Sequence, residues 1–194
     1  MPTSTRTVVF TDLANYTQRV SRSDRSELRD LLSEHERVVK GIIIEHGGVV
    51  VKNLGDSYMA LFSSATDAIR AGLAAVEQGL QGDGIPLRVS CATGDVEEID
   101  GDAFGDAVNL SARINSKTPA GQLWFSEGTM LCMNPSEIPW EGVGQFALKG
   151  IPGEVSIYRS VPESRCYLPQ AVTKALKRGR RSSWVAQFTF AFLT

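Results

Sequence analysis

Between Arg25 and Phe62 the hydrophobic pattern changes period, and this change limits the possible folds more than any other feature. From about Arg25 to His46, Leu28, Leu31, Leu32, Val38, Val39, Ile42 and Ile43 recur at the spacing of one helical face. Gly47-Gly48 stops that helix. Val49–Lys52 and Ser57–Phe62 are then two short apolar runs around the turn Asn53–Asp56. They predict a β-hairpin with Gly55-Asp56 at its tip. Upstream, β-branched and apolar Thr7–Phe10 predicts a buried strand. Downstream, the pattern predicts a helix over about Ala65–Leu80, a loop over Gln81–Pro86, and strands over Leu87–Thr93 and Val96–Ile99. A third helix is predicted from near Ala103 to before Pro119, with short strands near Leu123–Phe125, Gln145–Lys149 and Val155–Ser160. Strand, helix, hairpin, helix, strand is the order of a ferredoxin-like, split βαβ fold of the α+β class. It predicts a mostly antiparallel sheet with helices packed on one face.

The catalytic unit is expected over 1–161, with a separate tail over 162–194. In that tail Lys174, Lys177, Arg178, Arg180 and Arg181 form a basic cluster, followed by the apolar stretch Trp184–Leu193. Ten largely apolar residues are too few to cross a bilayer, which takes about 20. The tail reads as a solvated linker with a segment that packs on its own domain or a neighbouring chain. Elsewhere too no transmembrane segment is expected. The net charge of −2 gives no reason to expect a nucleic-acid partner. Cys91, Cys132 and Cys166 are scattered and odd in number, which argues against a disulfide framework or a zinc site. With no signal-peptide pattern at the N-terminus, a cytoplasmic protein is expected.

Asp12 ends the first strand and Asp56 sits at the hairpin tip. In this fold those strands are neighbours, so the two carboxylates converge. Close carboxylates repel unless cations lie between them. Hard oxygen donors suit Mg²⁺ or Mn²⁺, and two such ions about 4 Å apart form the clamp used for in-line phosphoryl chemistry. Leu13-Ala14-Asn15-Tyr16-Thr17 follows Asp12, and its backbone N–H groups are placed to cradle a triphosphate, with Thr17 a substrate-binding candidate. Alone, either aspartate reads as an ordinary turn residue.

Four ordered blocks change that reading: VVFTDLANYT, GGVVVKNLGDSYMALF, LRVSCATGDV with DAFGDAVNLSARI, and LKGIPGEVSIY. They resemble the class III adenylate and guanylate cyclase family over Thr7 to Val161. The resemblance implies metal ligation by Asp12 and Asp56 and a head-to-tail homodimer with active sites at the interface. By resemblance Asn109 orients the ribose and Arg113 steadies charge on the α-phosphate. Four apart on a helix, they share a face. Lys149 resembles the lysine that holds the terminal phosphates, and Arg88 an arginine that also reaches them. Asn15-Tyr16 departs from the Gly-Phe of many members.

Lys52 and Asp102 match the family's two base-reading positions. A carboxylate accepts from adenine's exocyclic amino group, and an ammonium donates to its N1. Guanine reverses both roles, leaving mispaired groups at a cost of several kcal/mol. Guanylate cyclases resemble this scaffold but typically carry Glu and Cys there. The residues therefore imply an adenylate cyclase acting on ATP with two Mg²⁺ or Mn²⁺ ions. One subunit would supply Asp12 and Asp56, the other Lys52, Asp102, Asn109, Arg113 and Lys149. A guanylate cyclase is the alternative, and a non-catalytic nucleotide-binding module a more distant one. His35 and His46, on the first long helix, are expected to lie away from these motifs. Regulation is expected from the tail, a partner chain or a further domain.

Overall fold

The computed structural model describes residues 3–14, 16, 24–81 and 85–161. Strand β1 (Thr3–Leu13) is followed by α1 (Arg25–Glu45), β2 (Val49–Asn53), β3 (Ser57–Phe62), α2 (Ala65–Gly79) and β4 (Leu87–Ile99). These strands lie in the order β2-β3-β1-β4, all antiparallel, as the split βαβ reading requires. The chain then adds β5 (Asp102–Phe104), α3 (Asp106–Asn115), β6 (Gln122–Ser126), α4 (Glu127–Cys132), β7 (Trp140–Ala147) and β8 (Glu154–Ser160). β6 runs parallel to β4, β8 and β7 complete the sheet, and β5 folds back on the end of β4.

Local chemistry fixes the element ends. Beyond α1, Gly48 N–H donates to Ile43 O at 2.8 Å and Gly47 N–H to Ile44 O at 3.0 Å, satisfying carbonyls the last turn leaves free. At the start of α2, Ser64 Oγ accepts from Asp67 N–H at 3.2 Å. β2 and β3 pair around a turn in which Gly55 N–H donates to Asn53 Oδ1 at 2.8 Å.

Both faces of the sheet are covered, which corrects the expectation of helices on one face. Val9, Tyr58, Ala60, Phe62 and Cys91 pack with Val39, Ile43, Ala68 and Ile69 of α1 and α2. Val8, Met59, Leu61 and Val96 point the other way, against Ala103 and against Ala107 of α3. The central strands are apolar at successive positions, so each face needs its own cover. Ile114 extends the second layer to Trp124, Leu148 and Ile157.

Four boundaries differ from the sequence expectation. β1 begins at Thr3, because polar Thr3–Arg6 pairs with Gly94–Glu97. The two strands expected over 87–99 are one strand of 13 residues. The third helix starts at Asp106, since Asp100-Gly101, at φ 51° and 80°, forms a two-residue turn that first sends the chain back as β5. Gly105 then leads into α3 at φ 138°, where a Cβ would meet Asp95 O at 2.6 Å. Lys149 is not in a strand. β7 ends at Ala147, and buried Leu148 anchors a turn closed by Ile151 N–H to Leu148 O at 3.0 Å. α4 was not anticipated. Ser126 Oγ, accepting from Thr129 N–H at 3.3 Å, caps it and is the signal that marks it. Cys91 is buried and Cys132 exposed, both free.

Candidate active site

Three groups of the anticipated residues emerge, each set by a different part of the topology. The first lies at the sheet centre. Asp12 is opposite Ser57 on β3 and opposite Arg88 on β4, and Leu13 N–H donates to Asp56 O at 3.2 Å. The pairing thus draws Asp12, Asp56 and Arg88 together. Arg88 Nη2 forms an ion pair with Asp12 Oδ2. Burial raises the pKa of Asp12 above the ordinary aspartate value. Arg88 pulls it down, and the Asp56 carboxylate pushes it up again.

The surroundings carry unmet polar demand. Among the described residues, the buried side-chain atoms without a hydrogen-bond partner are Thr11 Oγ1, His35 Nε2 and Arg88 Nε. Thr11 adjoins Asp12, and Arg88 is ion-paired to it. His35 corrects the expectation that the histidines lie away from the motifs. Its ring sits 5.4 Å from that of Tyr58, close enough to Asp56 to be drawn toward the charged form, although burial dominates and lowers its pKa. The spacing of α1 gave no sign of this, because only the α1–β3 packing creates it. His46 bonds through Nδ1 to Ile42 O at 2.8 Å, within its own helix region. Two converging carboxylates are a hard-oxygen donor pair, and a cationic guanidinium already rests on one of them. Both features fit a site for divalent cations. No cluster of three or more His, Cys, Asp or Glu able to hold a metal occurs among the described residues; Asp12 and Asp56 are a pair of carboxylates.

The second group joins distant segments. Lys52 Nζ meets Asp102 Oδ2 at 2.5 Å. The register of β2 shifts between Val50 and Lys52, a bulge that re-aims the strand beside β5. The Asp100-Gly101 turn holds Asp102 at the start of β5, where its Oδ1 also accepts from Ala103 N–H at 2.8 Å. Lys52 is the main cause of the lowered pKa of the Asp102 carboxyl.

The third group lines a cleft of about 980 Å³ that includes Asn109, Arg113 and Lys149, with Asp95, Glu97 and Asp106 also on its walls. α3 turns Ala107, Ser111 and Ile114 inward and leaves Asn109 and Arg113 exposed. Ser111 Oγ donates to Val8 O at 3.1 Å, and Asn115 Nδ2 donates to Phe10 O at 3.2 Å, which seats the helix on β1. Neither Arg113 nor Lys149 forms a salt bridge among the described residues. Asp12, Asp56, Arg88, Lys52 and Asp102 do not line this cleft. Asn15, Thr17 and the tail over 162–194 lie outside the described residues. No described helix is long and apolar enough to cross a membrane.

Comparison with known proteins identifies the domain and its fold. The profile of the adenylate and guanylate cyclase catalytic domain aligns with residues 1–160. An adenylate cyclase of Streptomyces coelicolor is 34% identical over 113 residues, covering 58% of this chain and 30% of that protein. The crystal structure of the adenylyl cyclase CyaB from P. aeruginosa superposes with a TM-score of 0.75 at 25% identity, covering 86% of this chain and 100% of that one. The guanylate cyclase domain of RhGC from Catenaria anguillulae, solved with GTP, shares the fold at a TM-score of 0.75 and 22% identity, covering 83% and 98%. Curated relatives are longer proteins, and the chain spans 19% to 39% of their length. The chain belongs to the family of adenylate and guanylate cyclase catalytic domains.

Proposed function

We propose that this domain converts ATP to 3′,5′-cyclic AMP and pyrophosphate in sites shared by two copies of the chain. The observation that carries the choice of ATP is the Lys52–Asp102 pair. An ammonium with three donors and a carboxylate with about four lone-pair sites can keep their mutual contact and still face a base. Side by side, they offer adenine a donor for N1 and an acceptor for its amino group. Guanine would meet a donor at N1–H and an acceptor at O6, both mispaired. The adenylate cyclase relative from Streptomyces coelicolor supports the same reading.

Asp12 and Asp56 are assigned to hold two divalent ions, Mg²⁺ or Mn²⁺. When bound, such ions lower the pKa of the ribose 3′-hydroxyl and offset charge at the α-phosphate. Asn109 orients the ribose. Arg113 meets the charge that grows on the phosphate oxygens, where a planar guanidinium is well matched. Lys149 and Arg88 hold the terminal phosphates, with Thr17 as a further substrate-binding residue. Because Asn109, Arg113 and Lys149 line a cleft that lacks Asp12 and Asp56, a partner copy is assigned to bring the two sets together. The tail over 162–194 is proposed to lie outside the catalytic unit.

The direct test is turnover of ATP and GTP, each with Mg²⁺ or Mn²⁺, over a range of protein concentrations. The reading predicts cyclic AMP formation with specific activity rising with concentration as dimers form. Preferential turnover of GTP would reassign the domain as a guanylate cyclase, and no turnover of either would leave a nucleotide-binding module.

A further inference from the structure

Arg88 is assigned above to the phosphates, yet its guanidinium rests on Asp12. β4 places Arg88 directly across from Asp12, with Nη2 ion-paired to Oδ2. The pair is partly enclosed, with side chains 32% and 20% exposed, and Arg88 Nε is buried without a partner. A guanidinium keeps its charge throughout the accessible pH range. It is therefore a permanent cation set on Asp12, whose carboxyl also feels the charge of Asp56.

We propose that Arg88 is an exchangeable cation of the metal site, one that occupies Asp12 until a divalent ion displaces it and then turns to the polyphosphate. The proposal rests on the reading of Asp12 and Asp56 as metal ligands. Its consequence is coupling. A metal ion arriving alone strands a charged, partly buried guanidinium whose Nε already lacks a partner, and this opposes binding. A triphosphate gives the freed guanidinium anionic oxygens in a geometry it matches bidentately. Metal and triphosphate thus favour each other's binding, and by linkage the effect is reciprocal. The same contact keeps the carboxylate pair partly neutralised before the ion arrives.

Two measurements on the full chain, neither using turnover, test this. In the first, Mn²⁺ is titrated without nucleotide and free Mn²⁺ is read by electron paramagnetic resonance, for wild type, Arg88→Met and Asp12→Asn. Arg88→Met should bind Mn²⁺ about tenfold more tightly, the scale of one charge-assisted contact, and Asp12→Asn should bind it much more weakly. If Asp12→Asn weakens binding while Arg88→Met leaves it unchanged or weaker, the exchange is wrong and the metal site stands. If Asp12→Asn leaves binding unchanged, the metal reading itself falls, and the exchange with it. The second measurement reads the wild-type chain and uses a variant for assignment alone. It follows the Arg88 Nε–H resonance of the wild-type chain, assigned by its loss in Arg88→Lys, as Mg²⁺ is added. Displacement predicts a shift that saturates with Mg²⁺ binding. A resonance that stays in place while the ion binds overturns the proposal.

Discussion

The sheet centre and the α3 cleft hold their charges in opposite ways. At the centre, strand register alone brings Asp12, Asp56 and Arg88 together, and the opposed charges meet within one chain. In the cleft, a helix and a turn present Asn109, Arg113 and Lys149 to open space, and the two cations have no salt-bridge partner among the described residues. At the centre one guanidinium meets two aspartates in a partly enclosed setting, while the cleft holds its two cations apart from any ion pair, with Asp95, Glu97 and Asp106 also on its walls. The difference underlies the proposal that two copies of the chain share a site. Antiparallel pairing brings the carboxylates together, whereas α3 and the turn after β7 set Asn109, Arg113 and Lys149; by the alternation of β1, Asp12 shares with Val8 and Phe10 the face that α3 covers.

The sharpest way to break this contrast is to empty the centre. Asp12→Ala or Asp56→Ala should lower metal-dependent cyclic AMP formation by about 10³-fold or more, since each removes metal-mediated stabilisation of several kcal/mol. The check is initial-rate assay at saturating Mn²⁺, and activity near wild type in either variant would refute the carboxylate assignment. Emptying the cleft should cost slightly less. Arg113→Ala is expected to reduce kcat by about 10²- to 10³-fold, the range for losing one preorganised donor to transition-state charge. Mn²⁺ affinity should be unchanged, because Arg113 lies outside the carboxylate group.

The Lys52–Asp102 pair predicts a smaller, more selective effect. Lys52→Gln should lower kcat/KM for ATP by about 10- to 100-fold, the scale of a hydrogen bond to a charged group, and narrow the preference over GTP. Competing-substrate assays read both. The pair also has a pH signature. Lys52 lowers the folded-state pKa of Asp102, so its contribution to stability is complete above the ordinary aspartate pKa near 3.8. That contribution disappears as pH falls through the lowered value. Thermal melts of wild type and Lys52→Ala should differ at neutral pH and converge in strong acid. A gap that persists there would locate the effect of Lys52 elsewhere.

Much of the centre was legible in the sequence because register and turns have local signals. The Gly47-Gly48 stop and the Asn53–Asp56 turn fix the hairpin, and with β1 they fix which carboxylates meet. Asn109 and Arg113 were singled out by the family resemblance, and their i, i+4 spacing adds that they share a helix face. Less legible was whatever depended on packing between elements. The β-branched and apolar runs in β1 and β3 show burial but not that α3 would cover the second face. The Asp100-Gly101 turn was overlooked in favour of an earlier helix start, although Asp-Gly is itself a hairpin signal. His35 could not be placed near Asp56 from helical spacing, since that proximity exists only once α1 lies across β3. The Arg88–Asp12 ion pair likewise required the β1–β4 register, which no local motif specifies.

The central claim is that the Asp12–Asp56 half of one chain works with the Asn109–Arg113 half of another. It is tested most directly by mixing Asp12→Ala protein with Arg113→Ala protein and measuring cyclic AMP formation from ATP. Each variant alone should be nearly inactive, and the mixture should regain a substantial part of wild-type activity, because one of the two interfacial sites then contains both Asp12 and Arg113. A mixture that stays inactive although mixed dimers are demonstrated would contradict a shared site.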